Sequence, residues 1–173
     1  MKLITTILLI IIFPQLKAQE VKPVYLIQNP DARETMSLDG NWRYIIDMYQ
    51  YGYLDYRLEP TNEGFAENKK IKKESDRIEY DFAKAPTLQV PGDWNTQKPE
   101  LLYYEGTVWY QRDFNLKKKT DKRYFIYFGA VNYESHVWIN GKKAGDHIGG
   151  FTSFNFEITD LLNDGDNFVV VMA

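Results

Sequence analysis

From position 87 to position 172 the chain is a succession of short β-branched and aromatic runs, each closed by a turn signal. This punctuation leaves little room for anything but antiparallel sheet. TLQV stops at Pro91-Gly92, and TVWYQRDFNL is a long strand that ends in the charged turn KKKTDK. RYFIYFG carries a near-continuous apolar run from Tyr124 to Phe128, which predicts a strand buried on both faces. SHVWI runs into Asn140-Gly141, KKAGDH into Gly149-Gly150, and FTSFNFEITD into the one-turn element TDLLND with Thr159 or Asp160 as its N-cap. A turn around Gly165 then precedes NFVVVM, and Asp39-Gly40 opens an earlier strand-like run, NWRYIIDM. No long amphipathic segment and no repeat of fixed period interrupts the series. The expected fold class is all-β, an antiparallel β-sandwich.

Alternation refines two of these strands. In FNFEIT, Phe154, Phe156 and Ile158 fall on one face and Asn155, Glu157 and Thr159 on the other, so one face is expected in the core and the other in water. In TVWYQRDFNL the same parity groups Arg112 with Val108, Tyr110, Phe114 and Leu116. That predicts either a buried carboxylate partner for Arg112 or a bulge that shifts the register.

Asn140-Gly141 is the strongest hairpin signal in the chain, because both central residues of a type I′ turn need positive φ. Simple pairing about it sets Ile139 opposite Lys142, Val137 opposite Ala144, His136 opposite Gly145 and Glu134 opposite His147. Val137, Ile139 and Ala144 then share one face, while Glu134, His136, Trp138 and His147 share the other. The two histidines, the only two in the chain, become diagonal neighbours about 7 to 8 Å apart. His136, His147 and Glu134 are thus the only metal-ligand candidates. Two imidazoles and one carboxylate fall short of a zinc set, so no metal and no other cofactor is expected. His147 is expected instead to fix the bend at Gly149-Gly150 by hydrogen bonding.

A formal net charge of −3 argues against nucleic-acid binding by bulk charge. The aromatic share of 16%, with 13 Tyr and 4 Trp, suits both a β core and surfaces that stack on flat ligand faces such as sugars. Met1-Lys2, an apolar run over residues 3–13 and Ala18 ahead of Gln19 read as a secretory signal peptide over residues 1–18. The run is too short to span a bilayer. An exported protein, periplasmic or extracellular, is expected, with no membrane association once the signal is cleaved. The absence of cysteine means that disulfides do not hold it together. Residues 19–37 read as an extended linker. Residues 60–77 read as a solvated loop whose KKIKK cluster is neutralised by Glu63, Glu67, Glu74 and Asp76.

LDGNWRY, VPGDW, YYEGTVWYQRDF, FGAVNYESHVWINGKKAGDHIGGFTSFNFEITDLL and GDNFVVV follow one another in a familiar order. From Leu38 to its end the chain resembles the N-terminal sugar-binding domain of glycoside hydrolase family 2, which includes β-galactosidases, β-glucuronidases and β-mannosidases. The resemblance implies a jelly-roll β-sandwich of the galactose-binding-domain type over residues 38–173. In the complete enzymes an immunoglobulin-like domain and a (β/α)8 barrel follow, and the barrel supplies both catalytic glutamates of a retaining mechanism. It also implies that the chain is a fragment, truncated within the sandwich and inactive alone, whose carbohydrate substrate is met through those downstream domains. Catalytic residues are expected to be absent here.

Large β-galactosidases of the family place a galactoside-binding asparagine where this chain has Gly106, and the wording GTVWYQRDF looks more like the β-glucuronidase branch. Tyr104 and Glu105 are the residues expected to touch substrate at a pocket edge. Two other classes compete: a stand-alone carbohydrate-binding module, and a purely structural interaction domain. A binding module should expose coplanar aromatics on one patch, whereas a domain of a larger enzyme should expose apolar surface where its neighbour docks.

Overall fold

The computed structural model describes residues 26–60 and 81–173. The expected signal segment, the first part of the expected linker and almost all of the expected charged loop lie outside the described residues. Eight strands form two antiparallel sheets: β1 (Gly40–Asp47), β2 (Thr87–Val90), β3 (Thr107–Leu116), β4 (Phe125–Phe128), β5 (Glu134–Ile139), β6 (Lys142–Ile148), β7 (Phe154–Glu157) and β8 (Gly165–Met172). The larger sheet has the order β2-β1-β3-β8-β5-β6, and β4 pairs with β7 in a two-stranded sheet laid over it. The only α-helical turn among the described residues is α1 (Trp94–Gln97). The all-β sandwich expected from the turn punctuation is what the chain forms.

Double-sided burial falls on the centre of the large sheet. Val169 and Val171 of β8 join Val137, Ile139 and Trp42 beneath Ile126 and Phe154 of the small sheet. Val170 and Met172, of opposite parity, join Trp109, Trp138, Ile45 and Phe82 on the other side. A strand covered on both faces reads as an unbroken apolar run, as VVVM does. The same reasoning overreached for β4. There Ile126 is buried but Tyr127 is 38% exposed, because β4 belongs to the outer layer and its second face meets water.

Two other expectations are corrected by contacts distant in sequence. β3 runs without a bulge against both β1 and β8, and among the described residues no carboxylate pairs with Arg112. Its guanidinium instead donates to the Asn41 carbonyl at 2.6 Å and the Asp39 carbonyl at 3.4 Å, tying β3 to the start of β1. Asn155, expected in water, is buried. Its Oδ1 accepts from the Ile27 amide at 2.8 Å, so the segment before β1 covers that face of β7. Glu34 of the same segment pairs with Lys119 at 3.1 Å and with Lys122.

The hairpin turn forms as read, with φ of 52° at Asn140 and 78° at Gly141. Asn140 does more than turn: its Oδ1 accepts from the Phe168 amide at 3.0 Å and its Nδ2 donates to the Leu161 carbonyl at 2.8 Å. Beyond Trp138 and Lys143 the register slips, so that Val137 faces Gly145, His136 faces Asp146, Ser135 faces His147 and Glu134 faces Ile148. Ala144 is the extra residue of a β-bulge on this edge strand.

Gly145 sits under the ring of Phe156, where an added Cβ would lie 2.3 Å from the nearest ring carbon, while a Cβ at Gly129 meets nothing within 4 Å. Gly145→Ala should therefore destabilise the domain by about 1 to 3 kcal/mol through overpacking. Gly129→Ala should change stability by less than about 0.5 kcal/mol. Urea unfolding of the two variants side by side checks the contrast.

Candidate functional site

The parity that buries Ile45 also buries the last residue of β1, Asp47, whose carboxylate would be costly there without partners. It has three. Oδ1 accepts from the Tyr51 amide at 2.9 Å, and Oδ2 accepts from the Gly52 amide at 2.9 Å and from the Trp109 indole at 3.0 Å. The chain after β1 is thereby folded back on itself. Gln50 reinforces the bend by donating through its side chain to Thr107 Oγ1 at 3.2 Å.

Opposite this bend, the segment between α1 and β3 supplies a second wall. Asp93 caps α1 by accepting from the Asn95 amide at 2.9 Å. Asn95 in turn donates to the carbonyls of Leu101 at 2.6 Å and Tyr104 at 3.2 Å. Tyr104 donates its hydroxyl to the Thr107 carbonyl at 2.8 Å. Gly106, at φ +149°, makes that seat possible, since a Cβ there would lie 2.8 Å from the Tyr104 hydroxyl. Between the walls lies a cleft of about 380 Å3 lined by Ile46, Asp47, Met48, Tyr49, Tyr51, Glu100 and Tyr104.

Burial pushes the Tyr104 phenol above its ordinary value, and the Asp47 carboxylate adds to this. Tyr44 is raised by burial and then by Glu100, whose Oε1 accepts its hydroxyl at 3.4 Å. Tyr110 is raised furthest, by burial first and then by Asp93 and Tyr44. The cleft thus presents phenols and carboxylates, groups suited to sugar hydroxyls and ring faces. Among the described residues, no basic side chain lines it.

Of the residues singled out from the sequence, Tyr104 lines the cleft, whereas the neighbouring Glu105 is exposed and does not. The bulge separates the two histidines. His136 is buried on the face of Trp138, its Nδ1 2.5 Å from Asp146 and its Nε2 3.2 Å from Glu134, with the Tyr53 ring 4.7 Å away. His147 lies on the opposite face, stacked on Phe154 at 4.0 Å, with Nε2 3.1 Å from Thr152 Oγ1 beside Gly149. Glu134 and His136 share a face but His147 does not join them, because Ala144, set opposite Val137 in the simple pairing, is the bulge residue. Sequence reading passed over Asp47, Glu100, Tyr49 and Tyr51. The usable signals were a carboxylate with the parity of Ile45 and the tyrosine-dense run YQYGYLDY.

Residues 35–173 match the model of "Glycosyl hydrolases family 2, sugar binding domain". The chain belongs to that family. It is similar to the β-glucuronidase of Rattus norvegicus, at 32% identity over 144 residues, covering 78% of this chain and 19% of the rat protein. It is also similar to a β-glucuronidase of Bacteroides fragilis, at 36% identity over 91 residues, covering 50% of this chain and 13% of that protein. Among solved structures, a β-glucuronidase from an uncultured Clostridium sp. superposes with a TM-score of 0.59 at 26% identity, covering 79% of this chain and 21% of that one. The family 2 chain described here therefore spans roughly a tenth to a fifth of the length of such relatives.

Two outcomes follow from the site. Asp47→Ala strands the Trp109 indole and two amides and should cost about 3 kcal/mol in urea unfolding. Tyr44, Tyr104 and Tyr110 hold their protons more tightly folded than unfolded, so stability should be flat below the ordinary tyrosine value of about 10 and fall as pH rises beyond it. Denaturation between pH 8 and 11 measures the slope, and Tyr110→Phe should flatten it.

Proposed function

We propose that this sandwich is the N-terminal domain of an exported exo-β-glycosidase that removes terminal β-linked sugars, of the β-glucuronidase kind, with retention of configuration. The observation that carries the reading is the family match over residues 35–173 in a chain whose similar proteins are β-glucuronidases several times its length. Export rests on Lys2, the apolar run over residues 3–13 and Ala18.

In this reading the catalytic carboxylate pair, about 5 Å apart in a retaining enzyme, lies outside the sandwich. Asp47 is unsuited to the task, since its carboxylate accepts three hydrogen bonds from the fold itself. The sandwich braces the catalytic domain and lends one wall to a sugar pocket, with Tyr104 the residue nearest that role. Glu105, exposed beside it, has a weaker case. The phenols and carboxylates of the lining fit the neutral hydroxyl-bearing parts of a glycoside. A stand-alone sugar platform fits less well. The exposed rings of Tyr49 and Tyr51, 5.5 Å apart, are tilted by 36° and offer no common plane.

The test uses an aryl β-D-glucuronide. The polypeptide expressed from its source gene at native length should hydrolyse it, with the β-anomer appearing first by NMR. The 173-residue chain alone should give no turnover. Turnover by the chain alone would overturn the placement of the catalytic pair.

A further inference from the structure

The large sheet has two unlike ends. At one end meet the close of β1 at Asp47, the start of β3 at Thr107, the start of β5 at Glu134, the close of β6 at Ile148 and the close of β8 at Met172. The loops leaving this end expose Met48, Tyr49 and Tyr51 after β1, and Leu102 and Tyr103 before β3. They also expose Tyr133 before β5 and Phe151 after β6. Tyr103 is 92% exposed and Phe151 96%. At the other end the turns over residues 117–122, 140–142 and 163–166 are rich in Lys, Asp and Asn. Among the described residues there, the only large apolar side chain left in water is Met36, in the segment leading to β1.

The backbone on either side of Phe151 is held in place. The Gly149 amide donates to the Tyr133 carbonyl at 2.8 Å, His147 meets Thr152 Oγ1 at 3.1 Å, and the His147 ring lies on Phe154. An added Cβ at Gly150 would lie 2.6 Å from Asn132 Oδ1. A loop whose backbone is fixed by such a frame loses little backbone entropy when a partner covers its aromatic side chain. The path of β8 points to the same end. Met172 pairs with His136, and Ala173 exchanges both backbone bonds with Val108 at 2.9 and 3.0 Å. A residue following Ala173 is therefore delivered between Thr107 and Glu134, amid the exposed aromatics.

We propose that this apolar end, centred on Tyr103, Tyr133 and Phe151, is the docking face for a following domain of the same polypeptide. The proposal rests on the reading of the chain as part of a longer glycosidase and adds which surface the remainder covers. Polypeptide to cover it is present in the relatives, four-fifths or more of whose length lies outside the match. Met48 and Ile148 are aliphatic, and aliphatic and aromatic side chains together fit a protein surface better than a sugar.

Photo-crosslinking of the polypeptide expressed at native length tests this. p-Benzoylphenylalanine is placed singly at Phe151, Tyr103 and, as a control at the opposite end, Lys142. Activity on an aryl β-D-glucuronide is measured in parallel. Links from 151 and 103 to peptides beyond position 173 of the same molecule, with none from 142, support the proposal. A polypeptide that cleaves the glucuronide but links from 142 as often, or links 151 only to a second copy, overturns the proposal and leaves the glycosidase reading intact. A gene product with no glucuronidase activity and no sequence beyond 173 overturns both. As an independent readout, the double variant Phe151→Asp, Tyr103→Asp should speed limited proteolysis between this domain and the remainder by about tenfold, as expected for loss of two aromatic anchors. An unchanged rate overturns the proposal.

Discussion

One buried carboxylate holds the functional end of this domain together. Asp47 joins β1 to the Trp109 indole of β3 and draws the amides of Tyr51 and Gly52 inward. Because the chain is pulled back there, Tyr53 reaches over the outer face of the large sheet, onto His136 and Trp138, where Trp109 and Trp138 already stack at 5.3 Å. The same bend forms one wall of the cleft. An apolar residue at position 47 would remove the acceptor shared by the Tyr51 and Gly52 amides and the Trp109 indole, and would release a loop that both the cleft and the outer apolar layer require.

The cleft and the exposed aromatics answer different physical demands. In the cleft and in the core behind it, phenols whose burial and neighbouring carboxylates favour the protonated form are tied to backbone carbonyls or carboxylates, as Tyr104 of the lining is to Thr107 and buried Tyr44 is to Glu100. At the rim, side chains such as Tyr103 and Phe151 stand in water, where the hydrophobic effect favours covering them. This sandwich thus combines a polar recess with an apolar shoulder. His147, which first suggests a ligand, belongs to the shoulder as part of its frame.

What was legible in the sequence was whatever depends on near neighbours. The bounds of β2 and β3, the hairpin at Asn140-Gly141 and the all-β class follow from period-two alternation and from turn residues whose φ is set locally. The bulge at Ala144 was hidden, because no turn residue marks it and the Phe156 ring that lies against the adjacent Gly145 comes from another sheet. Asp47 was hidden for a similar cause: its indole partner lies 62 residues away. The burial of Asn155 depends on Ile27, 128 residues before it. Tyr104 could be placed at a pocket edge from its wording, but the acids that face it, Asp47 and Glu100, are brought there by elements the wording does not connect.

Strand order also carries a consequence for synthesis. In the order β2-β1-β3-β8-β5-β6, β8 is made after the other five described strands and lies in the middle of the sheet. Until residues 165–172 emerge, β1 to β3 on one side and the β5–β6 hairpin on the other have no hydrogen-bonded contact within that sheet. Val169, Val170 and Val171 are also missing from both cores. β8 therefore joins the two halves of this sheet, like the keystone of an arch, and a ribosome-bound chain that stops short of it would hold two half-sheets with open edges for chaperones to shield.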